Sequence, residues 1–194
     1  MMKVNEIFYS LQGEGYHSGT PAVFVRFSGC NLRCPFCDTQ HEEGIEMSEA
    51  EIVEAVKTYP ASLVVVTGGE PAMQLTEGLV DALHAAGKYV SVETNGTLPL
   101  PKNVDWITLS PKDIWVGSHA APVLSHADEL KLLFDGTHEP SLYSHIAVAH
   151  RFLQPCDMGN DARNAEIMQA AVDYIKKNPA WRLSLQIHKI LKIR

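Results

Sequence analysis

The residues of this chain best suited to chemistry are three closely spaced cysteines. Cys30, Cys34 and Cys37 form the pattern C-x3-C-x2-C, which places three thiolates on one compact loop. Thiolates are soft ligands that select zinc or iron–sulfur clusters over hard cations. A four-iron cluster held by three cysteines leaves one iron without a protein ligand, and that iron can bind a substrate or a cofactor. The spacing is therefore typical of an open [4Fe-4S] site.

Two other metal sites are compatible with the same spacing. His41 follows Cys37 by four residues, so it could complete a zinc tetrahedron with the three cysteines. Cys156 could instead close an iron–sulfur cluster as a fourth ligand, although a lone cysteine is more typical of a small buried apolar residue. Spacing alone leaves these alternatives open.

Short β-branched segments that alternate with helical patterns must position this loop. Strands are predicted at residues 22–28, 63–67, 89–94, 104–110, 129–134, 146–153 and 182–188. Helices are predicted at 48–59, where Ser48 and Glu51 form a capping box, at 75–86, with Gly87 as the C-cap, and at 161–177. Residues 111–128 show no pattern and are predicted to be a loop. The alternation indicates an α/β fold with a parallel sheet, and the element count favours an incomplete (β/α) barrel.

Glycine, proline and polar residues follow five of the predicted strands. These segments are Gly29-Cys30, Thr67-Gly68-Gly69-Glu70-Pro71, Glu93-Thr94-Asn95-Gly96, Ser110-Pro111-Lys112 and Gln154-Pro155. Parallel α/β sheets bind ligands beyond the carboxyl ends of their strands. The five segments therefore predict one shared site next to the cysteine loop.

Composition narrows the class of protein further. The 194 residues are 45% hydrophobic and carry a net charge of −7, which predicts a globular domain and argues against a dedicated nucleic-acid binder. No apolar run is long enough to cross a bilayer, and the first residues lack a signal-peptide pattern, so we expect a cytoplasmic protein with no membrane partner. Residues 176–194 contain six basic residues and no acidic one. This segment is interpreted either as a solvated basic face or as an end that meets an anion.

The cysteine spacing together with the Thr67–Pro71 segment resembles the radical S-adenosylmethionine superfamily. Phe36 precedes the last cysteine, and Gly68-Gly69-Glu70-Pro71 is similar to the GGEP element of that superfamily. The resemblance implies a single radical SAM core domain over residues 1–194. It also implies that S-adenosylmethionine chelates the open iron and yields a 5′-deoxyadenosyl radical, while the protein orients the reactants.

Further segments, from Asn5 to the C-terminus, resemble one family within it, the 7-carboxy-7-deazaguanine synthases. They include residues 6–15 (EIFYSLQGEG), 37–39 (CDT), 110–112 (SPK), 153–155 (LQP) and 181–189 (WRLSLQIHK). The resemblance implies a radical SAM carbon–nitrogen lyase that contracts the ring of 6-carboxy-5,6,7,8-tetrahydropterin and releases ammonia, in queuosine and 7-deazapurine biosynthesis. It also implies a trimmed barrel, a homodimer and a flavodoxin or ferredoxin as electron donor.

The resemblance assigns the substrate-binding residues. They are Leu11, Gln12, Gly13, Glu14, Arg26, Thr67, His188 and Arg194. Gln12 and Glu14 offer donors and acceptors that complement the pyrimidine edge of a pterin, and Arg26 can pair bidentately with a carboxylate. In this family the chain end folds back onto the substrate, so we expect the C-terminal tail to close the site.

The resemblance also assigns the cofactor and metal ligands. S-adenosylmethionine is expected to contact Phe36, Cys37, Asp38, Gly69, Glu70, Ser110, Pro111, Lys112, Gln154, Pro155, Cys156 and Asp157. Cys30, Cys34 and Cys37 are expected to hold the [4Fe-4S] cluster, and the Thr39 hydroxyl is expected to bind Mg²⁺, a hard cation that keeps several waters. Glu93 and Asn95 are weaker candidates on the cofactor side.

Two other functions remain as alternatives. A radical SAM activase that makes a glycyl radical on a protein partner has the same cysteine spacing and a similar length. A non-enzymatic zinc module is the other alternative. The turn at residues 11–15 and the tail from His188 onward favour a small-molecule pocket over the activase.

Overall fold

The structure is a computed structural model that describes residues 1–37 and 39–194. These residues contain nine strands, namely β1 (Met2–Leu11), β2 (Pro21–Phe27), β3 (Ile45–Met47), β4 (Leu63–Gly68), β5 (Tyr89–Thr94), β6 (Trp106–Leu109), β7 (His126–Phe134), β8 (Ala147–Pro155) and β9 (Trp181–Leu183). Their α-helices are α1 (Glu49–Lys57), α2 (Glu77–Ala85), α3 (Asp113–Val116), α4 (Asp161–Lys177) and α5 (Ile187–Leu191). None of the helices in these ranges combines the length and the apolar character needed to cross a bilayer.

All nine strands belong to one sheet, in the order β3-β1-β2-β4-β5-β6-β7-β8-β9. Strand β1 is antiparallel to both β2 and β3, whereas every pair from β2 to β9 is parallel. Because β3 and β9 end the order without pairing to each other, the sheet does not close. The predicted incomplete barrel is confirmed, with an antiparallel edge added to the parallel strands.

Successive side chains of each parallel strand point to opposite faces of the sheet, and the two faces bury different residues. On the outer face, Val23, Val25, Val64 and Val66 belong to a fully buried cluster that also contains Ile52 of α1 and the leucines of α2. A second outer cluster joins β7 and β8 to α4. The outer face therefore anchors the helices, and it leaves the inner face for the site.

The inner face has an apolar floor near the amino ends of the strands. Phe8, Ala22, Phe24, Leu63 and Val65 form this floor, and the rings of Phe8 and Phe24 stack with centroids 4.8 Å apart. Two residues further along each strand, Arg26 lies beside Thr67 in the β2–β4 register. The inner face thus changes from apolar to polar toward the carboxyl ends of the strands.

Local chemistry explains where the helices begin and end. The predicted capping box of Ser48 and Glu51 is present and starts α1. Helix α2 begins at Glu77, two residues after the predicted start, because the Thr76 hydroxyl accepts the Leu79 amide and acts as its N-cap. Gly87, with φ of 74°, follows the observed C-cap Ala86.

Three segments differ from the sequence-based expectations. The predicted strand at 182–188 is wrong beyond Leu183, because the Ser184 hydroxyl turns into the barrel to donate to Gln154 and residues 187–191 form α5. The predicted loop at 111–128 contains α3 and a short 3-10 turn. Strands β1 and β3, which the sequence analysis does not predict, form the antiparallel edge.

Candidate active site

A cavity of about 1280 Å³ lies at the carboxyl ends of the parallel strands. Its wall combines the cysteine loop, the ends of β4 to β8, the turn after β1 and the chain after β9. This is the position that parallel α/β sheets favour for ligands, as predicted from the strand-end segments. The cavity therefore defines the candidate active site.

The cysteine loop forms one wall of the cavity. Cys30, Cys34 and Cys37 line it as free thiols. The backbone bond from Gly29 N–H to the His41 carbonyl, 2.7 Å long, closes the base of the loop, and the Cys37 N–H donates to the Cys34 carbonyl to form a turn inside it. Burial raises the pKa of Cys30 and Cys34, so their thiolate forms need a positive partner such as a metal cluster.

The donor set of this wall fits a [4Fe-4S] cluster. Three soft thiols share one loop and face a cavity with room for a further ligand. Among the described residues, no group of three or more His, Cys, Asp or Glu lies close enough together to hold a single metal ion. Cys156 lies buried on the wall formed by the end of β8.

Gly68 and Gly69 bring the end of β4 against the cysteine loop. A Cβ atom at Gly69 would overlap with the Gly29 carbonyl oxygen, and one at Gly68, which has φ of 135°, would overlap with the Phe27 backbone. The Gly69 N–H donates to the Phe27 carbonyl, so only its carbonyl remains to accept from a ligand. Glycine is required here because the two backbones are in direct contact.

Glu70 lies outside the cavity, in contrast to its predicted cofactor contact. The side chain is fully buried and accepts from the Thr94 hydroxyl, the Ala72 N–H and the Asn95 N–H at 2.7, 3.0 and 2.8 Å. Burial raises its pKa, although these bonds oppose the shift. Its carboxylate therefore caps the short 3-10 turn after β4 and ties it to the end of β5.

The turn after β1 presents the predicted substrate residues to the cavity. Leu11, Gln12, Gly13 and Glu14 all line it. The Gln12 amide nitrogen donates to Glu93 at 3.0 Å, and its amide oxygen accepts the Glu14 N–H at 3.1 Å, which fixes the orientation of the amide. The turn is thus held in one conformation before any ligand binds.

Arg26 and Thr67 line the cavity side by side at the ends of β2 and β4. The Arg26 Nε donates to Glu6 at 2.9 Å, and the remaining N–H groups of the guanidinium can serve an anion. Arg26 therefore forms an ion pair with Glu6 and also occupies the position expected of a ligand for the substrate carboxylate.

The chain after β9 covers the turn. The Gly15 N–H donates to the Ser184 hydroxyl at 3.0 Å, Gln186 donates to Glu14 at 3.1 Å, and the Ile187 N–H donates to the Gly13 carbonyl at 3.0 Å. The His188 ring packs against the Gly13 α-carbon. The tail thus seals one side of the cavity.

Arg194 ends the tail at the edge of the cavity. Its guanidinium pairs with Glu6 and lies 5.2 Å from the Phe8 ring centroid, while its carbonyl accepts the Ser10 hydroxyl. Since Glu6 also pairs with Arg26, the last residue and the β2 arginine share one carboxylate.

Most of the predicted cofactor residues also reach the cavity. Its lining includes Phe36, Ser110, Lys112, Gln154, Cys156 and Asp157, but neither Pro111 nor Pro155. Thr39, the predicted magnesium ligand, lines it too. Burial lowers the pKa of Lys112 to about 8, and its ammonium donates to the Ser110 carbonyl and hydroxyl, both at 2.6 Å. Asp38 lies outside the described residues.

Sequence reasoning missed Lys131 and Trp115. Lys131 lies on the inner face of β7, buried between carboxylates. Its signal is present in the sequence, because a charged residue at alternate positions of a strand that is otherwise apolar indicates a polar inner face. Trp115 of α3 packs edge to face against Phe36 with centroids 4.9 Å apart, and no spacing in the sequence indicates that contact.

Several known proteins are similar to this chain in sequence or in structure. The sequence profile described as Radical SAM superfamily matches residues 24–114. A 7-carboxy-7-deazaguanine synthase of Bacteroides thetaiotaomicron is 52% identical over all of both chains. That of Bordetella pertussis is 43% identical over 98% of each chain. The crystal structure of QueE from Escherichia coli superposes with a TM-score of 0.72 at 27% identity, covering 95% of this chain and 93% of that one.

Proposed function

Because this chain belongs to the 7-carboxy-7-deazaguanine synthase family of radical SAM enzymes, we infer that its cavity carries out that reaction. The enzyme is a radical SAM lyase of queuosine and 7-deazapurine biosynthesis. It contracts the ring of 6-carboxy-5,6,7,8-tetrahydropterin to 7-carboxy-7-deazaguanine and releases ammonia. The membership leaves the activase alternative without support.

One observation carries this proposal. The cavity brings three free thiols on one wall within reach of a polar subsite that complements a pterin on the other. Gln12 and Glu14 offer an amide and a carboxylate to the pyrimidine edge, and Arg26 offers a guanidinium to the carboxylate of the substrate. An activase that acts on a protein chain needs neither a partner for a pyrimidine edge nor a guanidinium for a pterin carboxylate.

The cysteine wall holds the cofactors in this proposal. Cys30, Cys34 and Cys37 bind a [4Fe-4S] cluster, which together with S-adenosylmethionine supplies a 5′-deoxyadenosyl radical when both are bound. The residues on the cofactor side are Phe36, Ser110, Lys112, Gln154, Cys156 and Asp157. Lys112, half-buried in the cavity lining, contributes a positive charge beside the anionic groups of cofactor and substrate.

The remaining assignments complete the substrate side. Thr67 contacts the pterin from the end of β4, and His188 and Arg194 close over it from the tail. The Thr39 hydroxyl binds Mg²⁺ together with the substrate carboxylate and waters, in keeping with the preference of that ion for oxygen ligands. The domain extends over residues 1–194, with the tail as its lid.

Partners and compartment follow from the same family. We propose a homodimer that takes electrons from a flavodoxin or a ferredoxin in the cytoplasm. The free thiols of Cys30, Cys34 and Cys37 are compatible with a reducing compartment. Sedimentation velocity of the reconstituted protein would test the dimer.

The function is tested by ammonia release. The protein is reconstituted anaerobically with iron and sulfide and given S-adenosylmethionine, Mg²⁺, a reductant and 6-carboxy-5,6,7,8-tetrahydropterin. We expect ammonia in proportion to the pterin consumed, and none when Cys34 is replaced by alanine. Consumption of S-adenosylmethionine with no ammonia from the pterin would contradict the proposed function.

A further inference from the structure

Lys131 lies on the inner face of β7 and lines the cavity. Its side chain is 7% exposed. The ammonium lies 2.5 Å from Glu14 Oε2 and 3.2 Å from Glu93 Oε1, and Glu129 is two residues before it on the same face. Lys131 therefore joins the turn after β1 to the end of β5.

More carboxylates than cationic groups surround the Lys131 ammonium. Three carboxylates, those of Glu14, Glu93 and Glu129, act on its ammonium from the turn, β5 and β7. The other charged or titratable groups nearby are Lys112 after β6 and His188 of the tail, which acts on Glu14. Burial disfavours the ammonium, but the carboxylates outweigh burial and raise the pKa of Lys131 above its ordinary value. The lysine thus stays charged and keeps buried like charges apart.

Glu14 stays ionised because of the same contact. Burial opposes its ionisation, but the Lys131 ammonium and the Gln186 amide outweigh burial and lower its pKa to about 2. An ionised carboxylate offers about four lone-pair sites. Lys131 takes one site on Oε2 and Gln186 takes one on Oε1, so each oxygen keeps a further site, and Glu14 lines the cavity. Two acceptors side by side match two adjacent N–H donors.

Glu93 connects Lys131 to Gln12 through hydrogen bonds. Glu93 Oε1 accepts from both Lys131 and the Gln12 amide nitrogen, at 3.2 and 3.0 Å. The pattern of donors and acceptors on the turn therefore depends on where Lys131 holds the Glu93 carboxylate.

We propose that Lys131 is a positioning residue that holds the Glu14 and Glu93 side chains in place and so sets the acceptor pattern offered to the pyrimidine edge of the substrate. The proposal rests on the proposed function, because it concerns the same cavity. It extends that function by naming the residue that makes the turn selective for a ring edge with two adjacent N–H donors.

Lys131→Met removes the ammonium but keeps an unbranched chain of similar length. Without the ammonium, burial and the neighbouring Glu93 carboxylate both raise the pKa of Glu14. We expect the dissociation constant of 6-carboxy-5,6,7,8-tetrahydropterin to rise by about tenfold to a hundredfold, the usual effect of losing a bond to a charged group. The increase relative to wild type should grow as the pH falls from 8 to 6. Equilibrium dialysis of the cluster-containing enzyme under anaerobic conditions measures it.

Three further variants separate this role from a loss of stability. Lys131→Arg keeps the charge and should bind the pterin within about threefold of wild type, well inside the effect of a lost bond. Lys131→Met combined with Glu93→Gln removes the competing carboxylate and should recover much of the affinity. Lys88→Met removes a partly buried lysine that donates to the Tyr59 and Ala61 carbonyls far from the cavity, and it should leave binding unchanged.

The outcomes distinguish the proposal from the function beneath it. Unchanged pterin affinity in Lys131→Met at every pH, or no recovery in the double variant, would overturn the role of Lys131. Failure of the wild-type enzyme to convert the pterin would overturn the function itself. If Lys131→Met does not fold, Lys131→Gln takes its place with the same measurements.

Discussion

At the scale of single residues, Gly69 shows how closely the cysteine loop and β4 are packed. Its α-carbon faces the Gly29 carbonyl so closely that a methyl group cannot fit, and Cys30 is the next neighbour. We expect Gly69→Ala to displace the cysteine loop and to reduce the iron bound after reconstitution by more than half, an effect of steric overlap with backbone. Iron and sulfide analysis measures this.

Gly78→Ala is the matched control for that prediction. Gly78 lies within α2, where a Cβ atom would meet only the flexible Glu49 carboxylate at 3.1 Å. Alanine within a helix stabilises it by about 0.5–1 kcal/mol relative to glycine, so iron content should stay at the wild-type level. Full iron loading of Gly69→Ala would show that the loop adapts, which would contradict the packing argument.

Thr39 is the one side chain proposed to bind Mg²⁺. Thr39→Ala removes the hydroxyl and the γ-methyl group from the cavity wall, while Thr39→Ser keeps the hydroxyl and removes only the methyl group. If that oxygen binds Mg²⁺, the alanine variant should need at least about tenfold more Mg²⁺ for half-maximal turnover, the cost of about one lost ligand bond. The serine variant should behave like wild type. An unchanged magnesium requirement in Thr39→Ala would refute the assignment.

At the scale of elements, the tail after β9 and the turn after β1 form one unit. Residues 192–194 are anchored by the Arg194 contacts with Ser10 and Glu6. We expect deletion of residues 192–194 to abolish turnover of the pterin while cluster content stays normal, because the cysteine loop makes no contact with Arg194 that the structure describes. Lys176→Ala with Lys177→Ala removes as many basic residues from the exposed end of α4 and serves as the control. Wild-type turnover in the truncated chain would show that the tail is dispensable.

Acid should weaken the same unit. The pKa of Glu14 is about 2, below its ordinary value of 4.5, so its ionised form stabilises the folded chain above pH 4.5. That contribution, at most about 3 kcal/mol, is lost as the pH falls from 4.5 toward 2. Glu14→Gln lacks it, so the difference in the free energy of unfolding between wild type and variant should shrink over that range. Denaturant titrations at matched cluster content measure this difference in unfolding free energy. A difference independent of pH would contradict the lowered pKa of Glu14.

Element prediction from the sequence succeeded where one physical signal dominated. The buried parallel strands and the capping box of α1 follow from β-branched runs and from Ser48 with Glu51. The strand predicted at 182–188 failed because contacts distant in sequence, from Ser184 to Gln154 and Gly15, turn the chain out of the sheet. Apolar residues alone do not distinguish that short edge strand and helix from a longer strand.

At the scale of the whole molecule, the open barrel explains why the site is built from distant parts of the sequence. The outer face buries valines and leucines against the helices, and the inner face rises from an apolar floor to a polar rim. The cysteine loop and the Gly-rich segment were predictable because their chemistry needs fixed residue types. The carboxylate partners of Lys131 and the burial of Glu70 were not predictable, since both depend on which strands become neighbours.

The proposed ring contraction is tested most directly by the mass of the product and by the ratio of product formed to S-adenosylmethionine consumed. Reconstituted enzyme is incubated anaerobically with S-adenosylmethionine, Mg²⁺, reductant and 6-carboxy-5,6,7,8-tetrahydropterin. We expect a product with the mass of 7-carboxy-7-deazaguanine, formed in excess over the S-adenosylmethionine consumed. An intact pterin, in a protein that holds a full cluster and cleaves S-adenosylmethionine, would contradict it.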